Sequence, residues 1–287
     1  MDAFIKYCVR AFSELPGLLR WSYLPPLMVY AAAGISGLTA IVGTFFIKDY
    51  LNLSAAFLAG LGFWAGLPWA LKMPMGHLVD LIWKHKNYLV FLGAGIIALS
   101  LLIMVGLIGH TRSMAEVMPV ETWYVISVIL APVGFVIQDV VADAMTVEAV
   151  PGYSRDGTPL PEDTIKDMHT TMQMLGRFAI IGGTVLVALA NVILFRDVDA
   201  LDEAQKIDLY AEIYAYALII PVISVLGVLL AMVIARRNAA DLAARGITPD
   251  DRADSTPKTD VNWTILMGSL IFVTVSYTHL RAHETLP

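Results

Sequence analysis

Charge is what this sequence has least of. Only 15% of its 287 residues are Asp, Glu, Lys or Arg, against about a quarter in soluble domains. That shortage argues against an ordinary soluble enzyme. Positive charge is the scarcer sign, with 19 Lys and Arg against 25 Asp and Glu. A net charge of −6 with no basic stripe disfavours nucleic acid as a partner. There is one cysteine, Cys8, so an intrachain disulfide is excluded. Motifs of other chemistry are missing as well. No histidine pairs at metal spacing with a carboxylate or cysteine. No phosphate-binding glycine loop and no G-x-S-x-G nucleophile motif occurs. Neither a cofactor nor an enzymatic activity is expected.

Apolar sequence is abundant. Hydrophobic residues make up 57% of the chain, and the mean hydropathy is +0.69. A spanning helix needs about 20 mostly apolar residues. Charge-free runs of that kind occupy 21–47, 51–71, 87–109 and 122–138, the last continuing past Asp139 and Asp143. Further runs occupy 178–195, starting near His169, and 213–235; a seventh starts at Val261. Lipid offers no partner to an open strand edge, and stretches such as VISVLGVLLAMVIA do not alternate, so these runs are helices. The expected fold class is an all-α polytopic membrane protein.

Lys and Arg set the expected orientation. With a cytoplasmic N-terminus, the inner segments hold Lys6, Arg10, Arg20, Lys84, Lys86, Arg155, Lys166, Arg236, Arg237, Arg245, Arg252 and Lys258. The outer loops then hold only Lys48, Arg112, Arg196 and Lys206. In the lead, Asp2, Lys6, Arg10 and Glu14 lie opposite Ile5, Cys8, Phe12, Leu15 and Leu19, which suits a helix on the membrane surface. The domain reading is an amphipathic cytoplasmic lead (1–20), a six-helix bundle (21–235), a cytoplasmic linker (236–260) and the start of a seventh helix (261–274). Hydrophobicity collapses at Ser276. The string VSYTHLRAHET resembles a translated sequencing-library adapter, so 275–287 is expected to be an artefactual tail. On that reading the chain is a fragment lacking its C-terminal half.

Two stretches carry candidate chemistry. The first runs from Gly66 through Pro68, Trp69, Lys72, Pro74, Gly76, His77 and Asp80 to Lys84, His85 and Lys86. It reads as the loop between spans two and three, with Gly76 allowing close backbone approach. His77 and His85 are expected to be solvated. The second lies in the fourth span: Gln138, Asp139, Asp143 and Glu148. Carboxylates in a spanning helix are costly and mark function. Asp139 and Asp143 are four apart and share a face. Helix rise puts Lys72 level with Asp143, so an ion pair is expected. Asp139 or Asp143 is the expected proton carrier; the bland alternative is a static ion pair locking two helices. Glu148 is read as structural. Tyr30, Trp64, Trp69, Gln138, Gln173 and Asn191 are candidates for a central cavity. Trp21, Trp83 and Trp123, at span ends, suit the membrane interface. Glycines such as Gly34, Gly37, Gly43, Gly60, Gly62, Gly66, Gly182 and Gly183 read first as helix-packing positions.

Gly76, Leu78, Asp80 and the basic pair Lys84/Lys86 resemble the loop signature of major facilitator transporters. Leu81 and Trp83 stand where that signature has glycine and arginine. GISGLTAIVGTFFIKDYLNLS, LPWALKMPMGHLVD and QDVVADAMTVE are similar to the folate–biopterin transporter group. The muropeptide permease group shares mainly the fourth-helix pattern. The resemblance implies a six-helix N-terminal bundle of a major facilitator fold, working by alternating access. It implies a folate- or pterin-like anion as the solute and the proton as coupling ion. The bacterial inner membrane is the expected location. A muropeptide-type permease and a non-transporting membrane assembly factor are the alternatives.

Overall fold

The computed structural model describes residues 19–46, 53–154, 158–244 and 261–284. The amphipathic lead, apart from its last two residues, and linker residues 245–260 lie outside them. Among the described residues there is no strand, only an isolated bridge between Tyr153 and Pro159. The chain is an all-α polytopic membrane protein. Five helical stretches are long and apolar enough to cross a membrane: Trp21–Phe46, Trp83–Gly109, Val120–Ala149, Glu162–Ala200 and Glu203–Asp241. A shorter apolar helix occupies Trp263–Val275.

The first stretch is α1 (Leu24–Ile35) and α2 (Ala40–Phe46), joined by a 3-10 turn over Ser36–Thr39. Pro25 and Pro26 sit in the first turn of α1, where no backbone donor is lost. The second is α3 (Ala55–Ala70) and α4 (Lys72–Leu81). Ser54 caps α3, its Oγ accepting from Phe57 N at 3.2 Å. The segment between spans two and three is therefore not a loop: the sequence from Gly66 to Asp80 is helical apart from a break at Leu71. The cause is local. Pro74 has no N–H for the Ala70 carbonyl and its ring crowds that group. The helix ends at Ala70 and restarts with Pro74 tolerated in the first turn of α4.

Then follow α5 (Lys86–Gly109), the short α6 (Thr111–Val117), α7 (Val120–Ala149), α8 (Glu162–Leu194), α9 (Glu203–Ala217), α10 (Ile219–Ala244) and α11 (Trp263–Glu284). A capping box between Asp202 and Gln205 starts α9. The linker expected from Arg236 begins later than its charges imply, because α10 runs on to Ala244. ARRNAADLAA is rich in good helix formers, so polarity alone does not end the helix. Likewise α11 continues past Ser276, where the apolar composition stops.

Small residues set the packing. Gly93 on α5 and Gly134 on α7 face each other so closely that a methyl on Gly134 would lie 2.7 Å from the Gly93 oxygen. Two turns further along, Ser100 and Ser127 each donate to the other's carbonyl, at 2.8 and 3.0 Å. Gly34 on α1 lies against Ile180 of α8, and Gly183 against Ala31 and Gly34. Gly227 of α10 closes on Pro25 from the other side. Thus α1 is held between α8 and α10, with α5 and α7 beside it. Gly60, Gly62, Gly66 and Gly182 face open space. Three apolar layers run along the bundle. One holds Phe46, Met104, Tyr124 and Ile213. The middle one holds Val29, Val90, Val141 and Val228. The third holds Tyr23, Ala149, Met172 and Leu175.

Candidate functional site

Three helices bring ionisable groups together where α7 nears its C-terminal end. Lys72 opens α4, directly after the break at Leu71. Its ammonium donates to Asp139 Oδ2 at 2.5 Å and to Asp143 Oδ2 at 3.0 Å. One cation therefore bridges two carboxylates a single helical turn apart. Tyr30 of α1 completes the cluster, its hydroxyl donating to Asp143 Oδ1 at 2.5 Å. Asp143 is thus bound on both oxygens. The groups differ in access: the Asp139 side chain is 14% exposed, Lys72 40% and Asp143 50%. The pair is open on one side of the bundle.

Depth is common to these groups. Lys72 lies about 25 Å along the chain's second helical stretch from Ala55, and Asp139 about 28 Å along α7 from Val120, at about 1.5 Å per residue. With hydrocarbon about 30 Å thick, the cluster sits near one border of the apolar layer. A three-charge cluster costs less at such a border than at the bilayer centre.

The other expected residues divide. Gln138, next to Asp139, is buried and turned inward: its amide donates to Val90 O at 3.4 Å, and its Oε1 accepts from Ser224 Oγ at 3.0 Å. It ties α5, α7 and α10 together away from the cluster. Tyr30 is committed to Asp143 through its hydroxyl. Trp69 and Gln173 are exposed. Trp64 is exposed too, whereas Asn191 is buried with its Oδ1 unsatisfied.

In the helix-two region, Gly76 does not mediate a close approach, since a methyl there meets nothing within 4 Å. Among the described residues Asp80 and Lys84 form no ion pair. Lys86 does: it is buried and bridges Glu148 of α7, with its ammonium 3.9 Å from the Trp83 ring centre. His85 is exposed, but His77 is not solvated. It is 7% exposed, and its Nε2 accepts the backbone N–H of Asn262 at 3.0 Å, so it sits beneath the start of α11. In α4 the His77 side chain is held against the start of α11 and not in water.

Sequence reasoning passed over Arg177. It directly precedes the charge-free run from Phe178 and falls inside α8 once that helix is seen to start at Glu162. The structure places it within electrostatic reach of Tyr30. Among the described residues no three His, Cys, Asp or Glu side chains converge as a metal-holding group.

The chain is a helical polytopic bundle with a bridged carboxylate pair near the border of its apolar layer. The chain is 33% identical over 73 residues to a folate-biopterin transporter from Synechocystis sp. (strain ATCC 27184 / PCC 6803 / Kazusa). The match covers 24% of this chain and 15% of that relative. No family model matches the chain. No solved structure matches it. Helices and similarity together support an integral membrane protein of transporter type.

Proposed function

We propose that the chain is the N-terminal half of a proton-coupled secondary transporter of the major facilitator type, moving a folate- or pterin-like anion. Its N-terminus is cytoplasmic in this reading. The observation that carries it is the Lys72 bridge between Asp139 and Asp143, with Tyr30 on the second carboxylate. Protonating either aspartate leaves the lysine fully paired with the other. Such an element couples proton uptake to a change in contacts between α4, α7 and α1. Alternating access asks for that kind of contact change. The half-exposed Asp143 and Lys72 favour a transporter over a closed, apolar assembly factor. The similarity to the folate-biopterin transporter supports the solute class.

The test is proton-driven uptake of folate in vesicles holding the full-length protein, with Asp139→Asn and Asp143→Asn. Loss of the pH dependence in at least one variant is expected. If both keep full pH-dependent uptake, the coupling role of the pair is wrong.

A further inference from the structure

Lys72 and Lys86 both have carboxylate partners. Arg177 has none among the described residues, although it lies in a membrane-spanning helix. A guanidinium at that depth is not left alone at low cost: it needs water, a counter-ion or a ligand. Its place on α8 is informative. Lys166, Gln173, Arg177 and Thr184 fall on one stripe of the helix by their spacing. Met174, Phe178, Ile181 and Val185 form a second exposed stripe beside it, wholly apolar. The helix thus has a polar flank and a lipid-type flank, and Arg177 belongs to the polar one.

That flank adjoins the ion-pair cluster. A methyl on Gly176 would lie 2.9 Å from Tyr30 Cε2, so the tyrosine ring lies against α8 next to Arg177. Tyr30 spends its hydroxyl on Asp143, which is already bridged by Lys72. The near carboxylates are therefore engaged elsewhere, while Arg177 keeps its donors. Counted from Leu194, it lies at about the depth of Lys72 and Asp139 from Ala55 and Val120.

We propose that Arg177 receives a carboxylate of the transported solute, beside the proton-handling pair. This rests on the transporter reading above and adds the anchoring residue. The planar guanidinium offers two parallel donors matched to the two oxygens of a carboxylate. A bound anion there also supplies the counter-charge that Arg177 lacks among the described residues. A lipid phosphate has the same chemistry, but it would be met from the apolar flank.

The test uses the full-length protein in vesicles of phosphatidylcholine alone, which carry no anionic lipid. Two probes are compared: radiolabelled folate, which carries carboxylates, and biopterin, which carries none. Arg177→Gln is expected to weaken folate binding by about 10- to 100-fold, the worth of one charge-assisted pair. Biopterin binding should stay within about twofold of wild type, and Arg177→Lys should recover part of the folate affinity. Unchanged folate binding in Arg177→Gln, or equal loss of both probes, overturns the assignment while the transporter reading stands. A loss seen only after adding phosphatidylglycerol also overturns it and makes Arg177 a headgroup contact. If the wild type binds neither probe, the folate/pterin reading fails first, and this assignment with it.

Discussion

Replacing Lys72 by methionine removes the one cation that holds Asp139 and Asp143 together. The Asp139 carboxylate is 14% exposed, and in the variant it faces a second carboxylate one turn away with nothing between them. Removing one partner of a fully buried ion pair costs about 3–5 kcal/mol. Exposed pairs are worth about 0–1 kcal/mol. Lys72 and Asp143 are 40% and 50% exposed. The site therefore lies between these limits, and a loss of about 1–3 kcal/mol is expected. The assay is equilibrium unfolding of purified protein in mixed micelles with rising sodium dodecyl sulfate, followed by tryptophan fluorescence. The decisive variant is the double one, Lys72→Met with Asp139→Asn. Neutralising the less exposed carboxylate removes the stranded charge, so the double variant should be more stable than Lys72→Met alone. The coupling energy should be about 1 kcal/mol or more. Additive effects, or a Lys72→Met protein as stable as wild type, would refute the account of the cluster as one electrostatic unit.

Two further outcomes follow from packing. Gly34→Ala would set a methyl 2.3 Å from the Ile180 carbonyl oxygen, so α1 and α8 must separate; a loss of about 2 kcal/mol or more is expected in the same assay, while Gly182→Ala, facing open space, should be near neutral. His77→Phe keeps the bulk but removes the acceptor for Asn262 N–H; maleimide labelling of a cysteine placed at position 263 should become faster in that variant, and an unchanged rate would deny His77 any hold on the start of α11.

Much of this molecule was legible before any coordinates. The long charge-free runs pointed to an all-α membrane protein, because a bilayer admits only helices with every backbone group paired internally; the expected second span, broken at Leu71, is not among the five stretches long and apolar enough to cross. The four-residue spacing put Asp139 and Asp143 on one face, and helix rise placed Lys72 at their level. Both follow from the geometry of a single helix. Where local signals competed, the reading failed. Glycine, proline and charge between Gly66 and Asp80 looked like a loop, yet only the Pro74–Ala70 clash interrupts the helix. The charged stretch after Arg236 looked like a linker, yet its alanines extend α10.

The sequence alone determined the class of molecule and the presence of a carboxylate pair level with a lysine. Tertiary structure decided how the helices are rotated, through the close contacts at Gly34, Gly93, Gly134 and Gly183. Rotation then set which group meets which. It bridged Lys72 to both aspartates, brought Tyr30 to Asp143, turned Gln138 towards α10, buried His77 and left Arg177 on a polar flank. A single helix's period fixes which residues share a face. It is silent on which neighbour that face will meet, because that depends on side-chain volumes summed over several helices at once.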